Sequence, residues 1–247
     1  MQRPFVLLLL LCCALGARAE EVFVAVAANF IQPMEKIAAA FERDSGHKAK
    51  LAFGSTGAFY AQIRSGAPYQ VLLAADDRTP LRLEQDGQGV AGSRYTYAVG
   101  RLVLWSRQPG LVDAKAEVLR SGRFDKIALA NPELAPYGAA AVQTLERLGL
   151  LAQLRPRFVR GENIGQAYQF VATGNAALGF VALSQVQVEG RLREGSAWVV
   201  PEDMHTPIRQ DAVLLNKGRD NPAAVALLQY LRSPKARAII QSHGYGS

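Results

Sequence analysis

The sequence has very little cysteine, and its only long hydrophobic run lies at the N-terminus. Both cysteines, Cys12 and Cys13, fall inside that run. The remainder of the chain therefore has no thiol, which excludes a disulfide, a cysteine nucleophile and a zinc-thiolate site there. Acidic residues are also in the minority, because 21 Asp and Glu stand against 28 Lys and Arg, giving a formal net charge of +7.

Residues 1–19 have the features of a secretory signal peptide. Arg3 supplies the positive charge, Phe5 to Leu15 the apolar stretch, and Ala17-Arg18-Ala19 the small residues of a cleavage site. The apolar stretch is too short for a membrane-spanning helix, which needs about 20 residues. We predict that the mature chain begins at Glu20, is exported, and has a formal net charge of +5.

The composition of the whole chain is that of a packed protein, with 49% hydrophobic and 20% charged residues in a length of 247. Lysine and arginine are scattered along it, and no stretch is a basic run. We therefore do not expect a nucleic-acid partner. We do expect a weakly attractive electrostatic field for a small anion.

Apolar β-type runs alternate with amphipathic helical patterns, which indicates an α/β fold with mostly parallel strands. We count about nine candidate strands. The clearest are Val22 to Ala27, Ala49 to Phe53, Val71 to Ala75, Ala98 to Trp105, Lys126 to Ala130, Leu178 to Leu183 and Ala212 to Leu215. The pattern at the C-terminus predicts one long helix from about Pro222 to Ser242.

Four strands are followed directly by a turn and the start of a helix. The turns are Ala28-Asn29-Phe30, Gly54-Ser55-Thr56-Gly57, Asn131 to Gly138, and Glu162 to Gln166. Asn29 with Gln32, and Asn163 with Gln166, have the spacing of a capping box, so both asparagines are predicted N-caps. The two glycines that flank Ser55 and Thr56 allow backbone N–H groups to converge on one point.

This arrangement predicts an anion site. Ligands of open parallel sheets bind beyond the carboxyl ends of the strands, where helix N-termini meet. Each N-terminus offers free N–H groups and about half a positive charge, so four of them match a small dianion with about +2. The Gly-Ser-Thr-Gly turn lacks the lysine of a P-loop, and the sequence has no Gly-x-Gly-x-x-Gly motif, so a nucleotide is not expected.

Seven short runs, in order along the chain, resemble the periplasmic molybdate-binding proteins of ABC importers, which are type II periplasmic binding proteins. They are Ala27-Ala28-Asn29-Phe30, Gly54-Ser55-Thr56-Gly57, Gln62-Ile63 to Gly66-Ala67-Pro68, Ala74-Ala75-Asp76, Asn131-Pro132 to Pro136-Tyr137-Gly138, Leu178-Gly179-Phe180-Val181 and Ser233-Pro234-Lys235-Ala236. The resemblance implies two α/β lobes, each a mixed, mostly parallel sheet flanked by helices. Lobe one would hold residues 20–98 and 209–247, and lobe two residues 99–208.

The same resemblance implies the ligand-binding residues, one pair or residue at each of the four turns. They are Ala28 and Asn29, Ser55 and Thr56, Tyr137, and Ile164. Of these, Ala28 and Ile164 would contribute backbone N–H groups and the other four their side chains.

Two positions depart from the family pattern. Some relatives place a tyrosine hydroxyl on the anion from the position that is Ala182 here, so we expect the hydroxyl of Tyr137 to take that role. Gln70 stands where many relatives have aspartate, which affects a local helix contact and not the pocket.

By resemblance, the protein captures molybdate or tungstate between its lobes in the periplasm, as a monomer. It then delivers the anion to an inner-membrane permease, without a cofactor, a catalytic residue or a cationic metal site. Two alternatives remain open: a binding protein for sulfate or another small oxyanion, and an enzyme that uses the cleft for a phosphorylated or carboxylated substrate. A pocket without a carboxylate would leave the proton of monohydrogen phosphate without an acceptor, which disfavours phosphate.

The residues that an enzyme would need do not adjoin the four turns. His47, His205 and His243 are predicted to be structural or surface residues, and Asp76-Asp77 is predicted to be a solvated turn and not a metal pair.

A ferric-ion site would require adjacent tyrosines and carboxylates. Tyr95 and Tyr97 are separated by one residue and follow Arg94, which does not fit that pattern. The last residues are predicted to be a disordered or lightly docked end, in which Tyr245 has no role in the site.

Overall fold

The computed structural model describes residues 19–246. Residues 1–18 of the predicted signal peptide lie outside the described residues. The strands, β1 to β12, are Glu21–Ala27, Lys48–Gly54, Val71–Leu73, Tyr95–Gly100, Leu102–Ser106, Ile127–Ala130, Phe158–Gly161, Leu178–Ala182, Gln187–Val188, Arg191–Leu192, Ser196–Val199 and Ile208–Leu214. The helices, α1 to α10, are Ile31–Ser45, Thr56–Arg64, Arg78–Gln85, Val118–Ser121, Pro136–Arg147, Leu151–Leu154, Ile164–Ala172, Leu183–Val186, Pro222–Leu231 and Pro234–Ser242. Within residues 19–246, no helix has the length and hydropathy to cross a membrane.

Two five-stranded sheets form the framework, with the orders β2-β1-β3-β12-β4 and β11-β5-β8-β6-β7. In each sheet four strands run in one direction, and one strand, β12 or β5, runs against its neighbours. The chain passes to the second sheet between β4 and β5 and returns between β11 and β12. The predicted α/β architecture with mixed, mostly parallel sheets agrees with this topology.

Helices cover both faces of each sheet. Along β1, Val22 and Val24 pack with α1, α9 and α10, whereas Ala25 faces the opposite side with Phe59 and Ile63 of α2. The second sheet is likewise packed on both sides, by two separate apolar clusters. Burial on both faces explains the nearly continuous apolar runs from which the strands were predicted.

Two predicted elements are wrong in their extent. The predicted strand from Ala98 to Trp105 is two strands, because the chain changes sheets at Arg101 between β4 and β5. The predicted C-terminal helix is also two helices, α9 and α10. Ser233 caps α10 by accepting from the N–H of Ala236 at 3.2 Å, and Pro234 cannot supply the N–H that a continuous helix would need.

Candidate functional site

All six residues predicted to bind the anion line one small cavity between the two sheets. The walls of the cavity are Ala27 to Asn29, Gly54 to Thr56, Ala75, Ala135 to Tyr137, and Asn163 with Ile164. Apart from Ala27 and Ala75, these residues belong to the four predicted turns, which meet as expected for helix starts at the carboxyl ends of strands. No lysine, arginine, aspartate or glutamate is among the lining residues that the structure describes.

Four of the residues that line this cavity lie at the starts of helices, where backbone N–H groups are free. Ala28 opens a short 3-10 helix that leads into α1, Thr56 opens α2, Ile164 opens α7, and Tyr137 is the second residue of α5. The first N–H groups of a helix have no partner within it. Among the loop and cap hydrogen bonds of residues 19–246, none is donated by the backbone N–H groups of these four residues. An acceptor in the cavity could therefore satisfy them.

The hydroxyl oxygens of Ser55 and Thr56 each accept a hydrogen bond from a backbone N–H group. Ser55 Oγ accepts from the N–H of Ala58 at 3.4 Å as the N-cap of α2, and Thr56 Oγ1 accepts from the N–H of Ala75 at 2.9 Å. Each hydroxyl thereby uses a lone pair on the protein and keeps its own proton for another acceptor. Both side chains are buried in the cavity wall, so an acceptor inside the cavity could take these protons.

Asn29 is not the predicted N-cap. The capping residue of α1 is Phe30, without a side-chain bond, and Asn29 lies inside the 3-10 helix. Its Nδ2 donates to Gln210 Oε1 at 2.8 Å and to the Tyr245 hydroxyl at 2.9 Å. Its Oδ1 is buried and has no partner among the described residues. By contrast, Asn163 is an N-cap as predicted, accepting from the N–H of Gln166 at 3.1 Å.

The hydroxyl of Tyr137 lies in a buried polar network. Gln210 Nε2 donates to it at 3.1 Å, and Gly100 leaves the room for it, since a Cβ at Gly100 would overlap the phenol oxygen. Neither Gln210 nor Gly100 lines the cavity. Burial raises the pKa of the Tyr137 phenol well above its usual range, and the neighbouring phenol of Tyr245 raises it further, so Tyr137 stays neutral.

Tyr245 is a buried residue behind the cavity wall, although its sequence position gave no sign of this. It is buried, and its hydroxyl donates to the main-chain oxygen of Asn29 at 2.8 Å and lies 3.0 Å from Ser184 Oγ. The adjacent Gly246 pairs with Val99 at the edge of β4. The prediction of a disordered or lightly docked end is therefore wrong. No local signal could have shown this, because Tyr245 and Asn29 are 216 positions apart.

Two side chains of helix α8, which follows β8 of the second sheet, donate hydrogen bonds to two of the four turns. Ser184 Oγ donates to the main-chain oxygen of Asn29 at 2.9 Å, and Gln185 Nε2 donates to the main-chain oxygen of Ile164 at 3.1 Å. Ala182, just before α8, is completely buried and lies outside the cavity lining. Gln70 is also remote from the cavity, and its Oε1 accepts from the N–H of Phe23 at 3.0 Å.

The histidines lie away from the cavity, and none of the three lines it. Nδ1 of His47 accepts from the N–H of Glu20 at 3.2 Å, whereas the Nδ1 atoms of His205 and His243 contact main-chain oxygens of neighbouring residues.

The acidic and phenolic alternatives also lie outside the cavity. Asp76 caps a turn by accepting from the N–H of Thr79 at 2.7 Å, and burial raises the pKa of its carboxyl. Tyr95 donates to the main-chain oxygen of Leu228 at 3.0 Å, and Tyr97 belongs to the network around Gln210. Within residues 19–246 there is no group of three or more His, Asp or Glu residues that could hold a cation.

Two mixed sheets with a small cavity between them are the architecture of the class of two-lobed solute-binding proteins. A sequence profile of the family described as bacterial extracellular solute-binding protein matches residues 22–246, and the chain belongs to this family.

Within the family, the chain is similar to two proteins named molybdate-binding protein ModA. It is 60% identical to that of Azotobacter vinelandii, over 96% of this chain and 93% of the relative. It is 49% identical to that of Rhodobacter capsulatus, over 97% and 93%. The solved Azotobacter vinelandii periplasmic molybdate-binding protein superposes with a TM-score of 0.89 at 41% identity, covering 92% of this chain and 99% of that one. The predicted family resemblance and fold class are thus confirmed.

Proposed function

We propose that this protein captures molybdate, or the closely similar tungstate, in the cavity between its two sheets and delivers it to an ABC importer. The observation that carries this proposal is the cavity lining, which combines four helix starts with neutral side-chain donors and has no charged side chain among the described residues. The high identity to two proteins named for molybdate binding supports the choice of anion.

The donor set suits an anion that only accepts hydrogen bonds. Molybdate, tungstate and sulfate are fully deprotonated near neutral pH, so every oxygen can accept from an N–H or O–H group. Monohydrogen phosphate has one proton that needs an acceptor, and a buried polar group without its partner costs about 1 to 3 kcal/mol. Positive helix ends supply the remaining attraction without a counter-charge on a side chain.

We propose that the anion is held by the side chains of Asn29, Ser55 and Thr56 and by the backbone N–H groups of Ala28, Tyr137 and Ile164. For Tyr137 this replaces the expected hydroxyl contact with a backbone contact. The reason is that its hydroxyl already lies against Gln210 and Gly100, outside the cavity lining, whereas its N–H belongs to the free first turn of α5.

We further propose that the two sheets are the cores of two lobes, residues 20–98 with 209–247 and residues 99–208, that close on the anion. Contacts between the proposed lobes support a closed state: the N–H of Gly57 donates to the main-chain oxygen of Leu134 at 2.9 Å, and Ser184 contacts Asn29. An anion that touches both lobes binds the closed state better and shifts the population toward it.

The remaining steps of transport follow from this proposal. The chain would be exported to the periplasm after loss of residues 1–19, act as a monomer, and present its closed form to an inner-membrane permease. No bond is made or broken in this cycle, and no cofactor takes part.

Sulfate is the second candidate, because it is also a fully deprotonated tetrahedral dianion and differs from molybdate chiefly in size. Thermal unfolding of the anion-free mature chain with molybdate, tungstate, sulfate and phosphate in turn tests the proposal. A ligand at 100 times its Kd adds about 2.7 kcal/mol of stability, which for a chain of this size raises Tm by roughly 5 to 10 °C. We expect this shift with molybdate and tungstate. A shift with sulfate alone would change the anion, and a shift with an organic phosphate alone would favour an enzyme.

A further inference from the structure

The start of α2 contacts the loop before α5 across the boundary between the two proposed lobes. The N–H of Gly57 donates to the main-chain oxygen of Leu134 at 2.9 Å. Gly57 directly follows Thr56 of the cavity wall, and Leu134 directly precedes Ala135 of the same wall. Gly57 and Leu134 themselves line the outer groove that contains Arg78, and not the cavity. Their contact therefore lies between the anion cavity and the outer groove.

A side chain at position 57 would not fit against Leu134. A Cβ on Gly57 would lie 3.1 Å from both the Cα and the main-chain oxygen of Leu134, whereas ordinary contacts of a Cβ are 3.4 to 4 Å. Both atoms belong to the backbone, so no rotation of a side chain relieves the overlap. The φ angle of Gly57 does not require glycine, since this residue lies within α2 and is not among the glycines with positive φ. The close approach to Leu134 is thus the feature that glycine provides.

Both sides of this contact are held within their own lobe. On one side, the N–H of Leu134 donates to the main-chain oxygen of Asn131 at 3.2 Å, and the N–H of Asn131 donates to that of Gly161 in β7 at 2.7 Å. On the α2 side, the hydroxyl of Thr56 accepts from the N–H of Ala75 at the end of β3. An overlap between the two sides is therefore relieved by moving the lobes apart, and not by moving the loop or the helix within its lobe.

We propose that Gly57 is a positioning residue that sets how far the two lobes close on the anion. This inference rests on the proposed function, including the closure of the two lobes, and deepens it. Thr56 offers its hydroxyl from one lobe, whereas Tyr137 and Ile164 offer N–H groups from the other. A side chain at position 57 would leave these donors a few tenths of an ångström too far apart. The anion would still enter, but it would be held less tightly and would leave sooner.

Gly57→Ala in the full mature chain tests the inference. Titration calorimetry gives the Kd for molybdate, exchange of bound radiolabelled molybdate gives its dissociation rate, and urea unfolding gives the stability of the anion-free protein. We expect the Kd to rise roughly three- to tenfold, the effect of losing about one hydrogen bond, and the rise to appear in the dissociation rate. The stability of the anion-free protein should be unchanged or higher, because alanine is a better helix former than glycine and the open form lacks this contact.

Gly89→Ala is the matched control. A Cβ on Gly89 would lie 3.2 Å from atoms of Glu84 and Val213, so the overlap is similar, but all three residues belong to lobe one. This variant should lower the free energy of unfolding and leave the Kd for molybdate unchanged. An unchanged Kd in Gly57→Ala, or an equal rise in Gly89→Ala, would overturn the inference.

The wild type separates this inference from the proposed function. If the wild type did not bind molybdate, the proposed function would fail and the inference with it. Failure of the inference alone leaves wild-type binding intact.

Hydrogen exchange at the amide of Gly57 gives a test that does not depend on a variant. This N–H belongs to the first turn of α2 and bonds to Leu134 only when the lobes are closed. With molybdate at 100 times its Kd, exchange through the open, anion-free form should slow about 100-fold, as NMR of the wild type can measure. Exchange that is equally fast with and without bound molybdate would overturn the inference even if Gly57→Ala did not fold.

Discussion

The hydroxyl of Tyr245 donates a hydrogen bond of 2.8 Å to the main-chain oxygen of Asn29 and so connects the last residues of the chain to the first turn of the site. Ser184 of α8, the helix that follows β8 of the other sheet, donates to the same oxygen. One carbonyl of the cavity wall is thus held from two directions. This double contact fixes the turn from which Ala28 and Asn29 present their donors.

Tyr245→Phe tests this contact. The variant removes one donor to the Asn29 oxygen but leaves Ser184 in place, so we expect it to lower the free energy of unfolding by about 1 kcal/mol and to weaken molybdate binding by a similar amount. Urea unfolding and calorimetric titration measure the two effects. Tyr230→Phe is the matched control, since its hydroxyl binds Asp44 at the surface. Unchanged binding in Tyr245→Phe would show that the tail does not support the site.

Tyr137→Phe separates a backbone contact from a hydroxyl contact. It leaves the N–H of residue 137 in place but deprives the buried Gln210 amide of a partner. We expect a loss of about 1 to 3 kcal/mol in unfolding stability, with molybdate affinity changed less than in Ser55→Ala. Tenfold weaker binding with unchanged stability would mean that the hydroxyl is a ligand after all.

Ser55→Ala removes a hydroxyl proton that the protein leaves free. Hydrogen bonds to charged groups contribute about 1.5 to 3 kcal/mol, so the Kd for molybdate should rise roughly 10- to 150-fold. Titration calorimetry measures this directly. Ser121→Ala, at a serine that bonds only to its own helix, is the control and should bind as the wild type does. Equal affinities in the two variants would remove Ser55 from the site.

His243 makes stability depend on pH on the acid side. Burial lowers the pKa of its imidazole, Lys36 and Arg193 lower it further, and Nε2 has no partner among the described residues. Because the folded state holds the neutral ring, the unfolded chain binds the proton first. The stability from this group is therefore fully present above about pH 6.5 and is lost as the pH falls. Urea unfolding between pH 8 and pH 5 should show a steeper loss for the wild type than for His243→Gln, and parallel curves would contradict this.

The sequence predicts the four turns well because their signals are local. A strand followed by glycine, serine or asparagine and then a helical pattern specifies a helix start within a few residues, as at Ser55 and Asn163. The meeting of these turns follows from the parallel strands that carry them. All six predicted residues accordingly line one cavity.

The residues behind the cavity could not be predicted in this way. Gln210, Ser184 and Tyr245 reach Asn29 across 181, 155 and 216 positions, and nothing local distinguishes them from other polar residues. Asn29 resembled an N-cap for the same reason, since its long-range partners were not visible in the sequence.

The exposure of two aromatic side chains also could not be predicted from the sequence. Phe23 and Phe53 lie in two of the predicted strands, but 45% and 37% of their surfaces are exposed. A strand pattern alternates its faces but does not show how much of each face the covering helices reach. β2 is an edge strand, and Phe53 is the last residue but one of that strand.

Molybdenum anomalous diffraction from crystals of the loaded protein tests the central claim most directly, because it locates the metal atom of the anion without reference to a model of the site. The account predicts one strong peak inside the cavity, between Asn29, Ser55, Tyr137 and Ile164, with oxygen contacts from N–H and O–H donors only. A peak beside charged side chains, such as Arg78 and Arg82 in the groove at the outer edge of the cleft, would contradict it.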